Sequence, residues 1–162
     1  MTKYGVYPDI FTIAKAMGGG MPIGAFVASK EIMDSLKQDP GLGHITTFGG
    51  HPVSAAAAHA SLQVLLEEKL VETASSKGEI YLNELSHPRI RNMWGTGLFI
   101  AVELEDVSTV QKAMKHLADH GLITDQFIFK PNAFRIAPPL TITPSEIRES
   151  ISRIRNALDN LG

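Results

Sequence analysis

The stretch TIAKAMGGGMPIGA (residues 12–25) places a single lysine between an apolar run and three consecutive glycines. Apolar residues dominate on both sides, so residues 8–14 and 24–28 predict two short buried strands joined by a glycine-rich loop. A cation at the end of a buried strand must be paired, be neutralised or take part in chemistry, because burying an unpaired charge is costly. The pattern therefore makes Lys15 the first candidate for a functional residue.

The sequence around Lys15 leaves two interpretations open. Most lysines at the end of a strand extend the ammonium group into water. Alternatively, desolvation keeps the amine deprotonated and nucleophilic, so that it forms a Schiff base with a carbonyl compound. The glycines that follow match neither a P-loop, in which the lysine comes after the glycines, nor the dinucleotide-binding fingerprint. Nucleotide binding is therefore not expected here.

Two further segments contain candidate binding residues. HITTFGGHP (residues 44–52) places hydroxyls and glycine amides before a predicted helix; this suits an anion, although an ordinary turn with a helix cap explains it as well. Arg135 lies between apolar residues in a strand that ends at two prolines. Its planar guanidinium suits bidentate binding of a carboxylate, but a solvent-facing position at a sheet edge explains it equally well.

Composition excludes several classes of protein. Of 162 residues, 44% are hydrophobic and 20% charged, and the formal net charge is −2. This profile predicts a folded soluble domain, and the charge speaks against binding nucleic acid or an anionic membrane. Cysteine is absent, so disulfides and thiolate metal sites are excluded. His116 and His120 have helical spacing but no evident third ligand, so we expect no metal site. A cytoplasmic location is the default expectation.

Strands and helices alternate along the chain, which predicts an α/β or α+β fold. A short helix is expected over residues 30–37 and longer ones over 53–69, 70–85 and 107–120. Strands are expected at residues 90–94, 97–104, 122–124, 127–130 and 134–137, and Trp94 is expected in the core. The last helix begins with a capping box at Thr143, and its apolar stripe is Ile147, Ile151, Ile154, Leu158 and Leu161.

Four segments, in this order, resemble the class III aminotransferases, which depend on pyridoxal phosphate (PLP) and include the acetylornithine, ornithine and 4-aminobutyrate aminotransferases. They are YPDIFTIAKAMGGGMPIGAFVAS (residues 7–29), HITTFGGHPVSAAAA (residues 44–58), MWGTGLFIAVEL (residues 93–104) and FRIAPPLTIT (residues 134–143). The first is the most specific, and together they span essentially the whole chain. His51 departs from the family pattern, in which asparagine is commoner before this proline.

The resemblance implies a role for each candidate. Lys15 matches the lysine that holds PLP as a Schiff base, and Thr47 matches a threonine that binds the cofactor phosphate of the neighbouring subunit. Arg135 matches the arginine that binds a substrate carboxylate. The segment Gly95–Gly97 matches a demanding turn that enters the C-terminal domain. The implied partners are an amino acid and a 2-oxo acid such as 2-oxoglutarate, within a homodimer.

The resemblance covers only the C-terminal portion of these enzymes, which belong to fold type I. Residues 1–69 would be the end of the PLP-binding large domain, with the strands at 8–14 and 24–28 in a larger parallel sheet, and residues 70–162 would be the small α+β C-terminal domain. The residues that cradle the phosphate, stack on the ring and pair with its nitrogen would lie upstream. We therefore expect low activity from the isolated chain, unless an upstream half complements it. A related PLP-dependent aminomutase, racemase or decarboxylase, or a non-catalytic binding or dimerisation module, remains an alternative.

Overall fold

The computed structural model describes residues 4–42 and 45–161. Within them the chain divides into two compact units, Met1–Glu68 and Lys69–Gly162. No helix in the described ranges combines the length and the apolar character that crossing a membrane requires.

The first unit contains a two-stranded sheet and one long helix. Strand β1 (Ile10–Ile13) pairs with β2 (Ala25–Ala28). A 3-10 helix (Lys15–Gly18) lies in their connection, and helix α1 (Lys30–Asp34) follows β2 and leads into a second 3-10 helix (Ser35–Lys37). Helix α2 (Pro52–Glu67) begins with proline at its first position, where the missing N–H would have no intrahelical partner.

Two expectations about β1 and β2 are wrong. The strands pair with each other in the antiparallel sense, because the short segment between them returns the chain to the adjacent position without a crossover. They are also largely exposed: the exposed fractions are 50% for Ile10, 46% for Phe26 and 53% for Val27. Among the described residues, no second layer covers these side chains, so their apolar sequence does not produce a buried strand here.

The second unit is a four-stranded antiparallel sheet with helices against one face. Helix α3 (Leu70–Glu84) is followed by β3 (Asn92–Thr96), β4 (Phe99–Glu103) and α4 (Val107–Asp119). Then come β5 (Gln126–Phe127), β6 (Lys130–Ile136) and α5 (Pro144–Asp159), and the strand order is β3-β4-β6-β5. The expected strand at 122–124 does not form, and residues 127–130 cross a hairpin turn instead of forming one strand.

The core of this unit follows from the alternation of side chains along the strands. Ile100, Val102, Phe134 and Ile136 are buried and belong to one cluster with residues of α4 and α5. The expected stripe of α5 is buried throughout, and Thr143 and Glu146 form the capping box. Thr143 Oγ1 accepts from the Glu146 amide at 3.3 Å, and the Thr143 amide donates to Glu146 Oε2 at 2.8 Å. Local pattern and tertiary packing agree at this helix.

A pair of glycines sets the distance between α3 and the β3–β4 turn. A Cβ placed on Gly78 would lie 2.1 Å from the Gly97 carbonyl oxygen, so the two backbones touch. Gly97 has φ +56°, a conformation that favours glycine. The turn Gly95–Gly97 therefore depends on glycine both for its own conformation and for its contact with α3.

Candidate functional site

Lys15 lies two residues after the end of β1, at the first position of the 3-10 helix Lys15–Gly18, and is exposed. Its φ of +57° lies in the left-handed region, which costs a residue with a Cβ about 1–2 kcal/mol. Backbone strain of this kind is concentrated at functional positions. Among the described residues Lys15 is exposed, which agrees with the first of the two interpretations and leaves its role as a Schiff-base lysine a prediction.

The glycines after Lys15 bring the backbone against α2. A Cβ on Gly19 would lie 3.0 Å from Ser61 Cβ and 3.1 Å from the carbonyl oxygen of Ala57. Gly18 is buried beside Ile23. Small residues on α2 and glycines in the loop allow this close approach. The contact with α2 therefore fixes the turn from which Lys15 projects.

Thr47 lies in a turn that leads into the start of α2. The Gly49 amide donates to the Thr46 carbonyl at 3.3 Å, and the His51 amide donates to the Phe48 carbonyl at 3.2 Å. Thr47 is exposed, and no side chain caps the helix at His51. The first amides of a helix have no intrahelical acceptor and carry partial positive charge. This end of α2 is chemically suited to an anion. His44, which opens the same motif, lies outside the described residues.

Arg135 lies on β6 and is half-buried within the second unit. Its Nη2 donates to Asp125 Oδ2 at 3.2 Å, and its guanidinium carbon lies 5.9 Å from the centre of the Phe99 ring. The Phe99 ring in turn meets Phe127 edge-on at 5.6 Å. An ion pair at one edge and an aromatic ring nearby give the guanidinium a defined position.

Phe99 and Trp94 place an aromatic surface on the sheet beside Arg135. Trp94 pairs with Ala101, which pairs with Arg135, so these three positions form one row across the sheet. Trp94 is 40% exposed and Phe99 is 53% exposed. The expectation that Trp94 belongs to the core is wrong, because alternation along β3 turns its neighbour Met93 toward the core instead. The sequence interpretation also missed Phe99 and Asp125, neither of which belongs to a spacing that signals a site.

A cleft of about 300 Å³ opens in the second unit beside the Pro138–Pro139 segment. Its walls include Leu117, Ile136 and Ile154. Tyr81 and Ser150 also line it, and their hydroxyls lie 2.7 Å apart. Burial raises the pKa of Tyr81, and the hydrogen bond with Ser150 opposes that rise. Arg135 and Thr124 line it too, so the cleft combines mostly apolar walls with one cation and a few hydroxyls, as small-molecule sites commonly do.

The candidate residues are divided between the two units. Lys15 and Thr47 belong to Met1–Glu68. Lys15 opens the 3-10 helix that leads into the turn against α2, and Thr47 lies in the turn before α2. Arg135 belongs to Lys69–Gly162.

In the described ranges, no group of three or more acidic or histidine side chains is arranged to hold a metal ion. His120 Nδ1 lies 2.8 Å from the His116 carbonyl oxygen, so this ring closes the end of α4.

Comparison with known proteins identifies relatives along almost the whole chain. The sequence model of the family described as Aminotransferase class-III matches residues 1–158. A [LysW]-aminoadipate semialdehyde transaminase from Deinococcus radiodurans is 38% identical over 98% of this chain and 36% of its own length. An ornithine aminotransferase from Staphylococcus carnosus is 40% identical over 93% of this chain and 37% of its own length. The chain thus spans well under half the length of these relatives.

Solved structures agree with the sequence comparison. A Bacillus anthracis aminotransferase superposes with a TM-score of 0.89 at 27% identity, over 99% of this chain and 40% of that one. An ornithine aminotransferase from Plasmodium yoelii superposes with a TM-score of 0.85 at 32% identity, over 98% of this chain and 42% of that one. The fold expected from the sequence, the C-terminal part of such a transferase, is confirmed.

Proposed function

This chain belongs to the class III aminotransferase family, and from that premise we propose that it forms the C-terminal portion of an enzyme that uses PLP. The enzyme would move an amino group between an amino acid or amine and a 2-oxo acid such as 2-oxoglutarate. Met1–Glu68 would contribute the end of the cofactor-binding domain, and Lys69–Gly162 would be the small C-terminal domain. The match along residues 1–158 carries the proposal.

The residues present suit PLP in two respects. Lys15 offers an exposed amine on a strained turn, which suits attachment to an aldehyde. Thr47 offers a hydroxyl in the turn that leads into the uncapped start of α2, which suits a phosphate. Bound PLP supplies an electron-withdrawing ring at the carbon that carries the transferred amino group. Lys15 would hold the cofactor, and Thr47 would bind the phosphate of the cofactor held by the neighbouring subunit.

Lys15 would also move the proton that transamination requires. Its Nζ, once released from the cofactor, would accept a proton from the substrate Cα and return it to the cofactor side as a general acid. This role requires Nζ to stay near both the substrate Cα and the cofactor carbon that receives the proton. The turn held against α2 by Gly19 supports it, because a fixed backbone limits the volume that the amine explores.

Arg135 would bind a substrate carboxylate. A guanidinium presents paired N–H donors in a plane, which matches the two oxygens of a carboxylate. The partial burial of Arg135 and the nearby Phe99 ring support this role, because they keep the guanidinium in place before the substrate arrives. The expected carboxylate is that of glutamate or 2-oxoglutarate.

A homodimer, or assembly with an upstream half, follows from the role proposed for Thr47. In the family that the sequence resembles, the matching threonine serves the neighbouring subunit. The extensive apolar exposure of the first unit supports such an assembly, since Tyr7, Phe48 and Leu66 are 78%, 78% and 64% exposed. Large apolar side chains exposed to this extent favour an interaction surface in a folded protein.

The experiment is reductive labelling of Lys15. The chain is mixed with PLP and with the upstream portion of the Staphylococcus carnosus relative, the mixture is treated with borohydride, and labelled lysines are located by mass spectrometry. We expect a pyridoxyl label on Lys15 that Lys15→Ala removes and that Lys30→Ala, which removes an exposed lysine of the same unit, leaves in place. Equal labelling of the Lys15→Ala protein would refute the assignment, as would absence of label from an assembled wild-type mixture.

A further inference from the structure

Asp125 is the acidic residue that contacts Arg135, and none of the roles above includes it. Its Oδ2 accepts from Arg135 Nη2 at 3.2 Å. The carboxylate is 66% exposed and the guanidinium 37% exposed, so the pair lies at the surface of the second unit. The Asp125 carboxylate is therefore already bound to the Arg135 guanidinium, which is the group proposed to bind a substrate carboxylate.

Hydrogen bonds other than the ion pair hold the backbone around Asp125 in position. The Arg135 amide donates to the Asp125 carbonyl oxygen at 2.8 Å, and the Thr124 hydroxyl donates to the Arg135 carbonyl oxygen. Both bonds join the strand segments independently of the Asp125 side chain. The carboxylate is thus an addition to a segment that the backbone and Thr124 already fix.

The geometry of a guanidinium makes contact at Nη2 consequential. A carboxylate binds a guanidinium through two N–H groups on one edge, either the Nη1 and Nη2 edge or the Nε and Nη2 edge. Both edges include Nη2. Asp125 on Nη2 therefore blocks one edge and places its negative charge beside the other.

We propose that Asp125 is an internal competitor that sets how tightly Arg135 binds a carboxylate ligand. The inference rests on the proposed role of Arg135. A ligand carboxylate must either displace Asp125 from Nη2 or bind beside it against its charge. Asp125 thus weakens carboxylate binding and speeds release, while the nearby Phe99 ring keeps the guanidinium in position when Asp125 leaves.

The test follows the chemical modification of Arg135 itself, in the peptide that contains this residue. The chain is treated with phenylglyoxal, which modifies accessible arginines, and the modification of Arg135 is followed by mass spectrometry with and without glutarate as the dicarboxylate probe. The variants are Asp125→Asn, which keeps an oxygen acceptor but removes the charge, and Asp125→Ala, which removes both. Glu105→Gln is the matched control, because it removes an equally exposed negative charge that pairs with Arg91 instead.

We expect Asp125→Asn to lower the glutarate concentration that half-protects Arg135 by about two- to fivefold, the range expected for an exposed ion pair. The gain should shrink in 1 M salt, because screening weakens the competing charge. Glu105→Gln should leave the half-protecting concentration unchanged. A separate readout is the modification rate without glutarate, which should rise in both Asp125 variants.

The outcomes separate the two claims. If glutarate protects Arg135 in the wild-type chain but Asp125→Asn protects no better, or Glu105→Gln gains as much, then the inference about Asp125 is wrong and the role of Arg135 stands. If glutarate protects Arg135 in none of the proteins, the role of Arg135 in carboxylate binding is wrong. If the modification rate without glutarate is the same in wild type and both Asp125 variants, the ion pair itself does not hold Arg135 and the inference is overturned.

Discussion

Replacing Gly78 with alanine tests the contact that positions the β3–β4 turn. The added Cβ would lie 2.1 Å from the Gly97 carbonyl oxygen and 2.6 Å from its carbon, whereas ordinary van der Waals contact begins near 3.4 Å. The atoms it meets are backbone, which cannot rotate away as a side chain does. Helix α3 and the turn must therefore separate by more than an ångström, which disturbs the packing of buried Leu98.

The expected magnitude combines two opposing effects. Alanine favours a helix interior over glycine by about 1 kcal/mol, while overpacking against a rigid neighbour costs about 3 kcal/mol or more. We expect a net loss of about 2–3 kcal/mol in the free energy of unfolding of the second unit, or about 10 °C or more in its melting temperature. Trp94, the single tryptophan, lies next to Gly95 in the turn and reports the transition by fluorescence.

The matched control is Gly41→Ala, since a Cβ there meets no atom within 4 Å and its φ is not in the left-handed region. It should leave the fluorescence transition unchanged. A loss smaller than about 0.5 kcal/mol in Gly78→Ala would refute the reasoning, because surface substitutions without a structural role fall in that range.

Three further predictions concern the cap of α5, the hydroxyl pair in the cleft and catalysis. Hydrogen bonds from the Thr143 amide and hydroxyl lower the pKa of Glu146 below its usual value. The cap therefore stabilises the fold above the ordinary glutamate pKa and loses that contribution as the pH falls through the lowered pKa. In acid titrations followed by circular dichroism, the stability of Glu146→Gln should depend less on pH than that of the wild type, and an unchanged profile would contradict this. Tyr81→Phe should cost about 1 kcal/mol in urea unfolding because it removes the bond to Ser150, and an unchanged midpoint would mean that the bond contributes nothing. The chain with PLP, glutamate and an oxo acid should show little amino-group transfer in a coupled assay, because the ring-binding residues of the family would lie upstream, and robust turnover would overturn that expectation.

The elements that local sequence determines were predicted well. Helix α5 is confirmed from its capping box at Thr143 to the buried Leu158, because the cap and the apolar stripe both lie within the helix itself. Helices α2, α3 and α4 also begin and end within a few residues of the predicted positions. At these elements each local preference agrees with the packing that the fold imposes.

The wrong predictions have two physical causes, both of which arise from tertiary structure. Burial of β1 and β2, and the inward orientation of Trp94, depend on what lies over each face of a sheet, and an apolar run does not specify that. The hairpin between β5 and β6 was misplaced because an irregularity at Gln126 and Phe127 shifts the register. Pairing across that hairpin is what brings Asp125 to Arg135, so no spacing in the sequence predicts the contact.

Some features of the candidate site are predicted from sequence motifs, and others are visible only in the structure. The segments around Lys15, Thr47 and Arg135 are predicted from motifs, and their roles remain predictions. The positive φ of Lys15 was not predicted, because the sequence pattern suggests only a strand end followed by glycines, whereas its exposure is one of the two interpretations that the sequence leaves open. Phe99 and Asp125 become visible only when the sheet places them beside Arg135.

The most direct test of the account is an experimental structure of this chain assembled with the upstream portion of a class III relative and PLP. We expect that the Lys15 amine and the Arg135 guanidinium open into one pocket in that assembly, with Nζ within bonding reach of the cofactor carbon that carries the aldehyde. A structure in which Lys15 points into solvent, on the side of the sheet away from both the cofactor and Arg135, would contradict it.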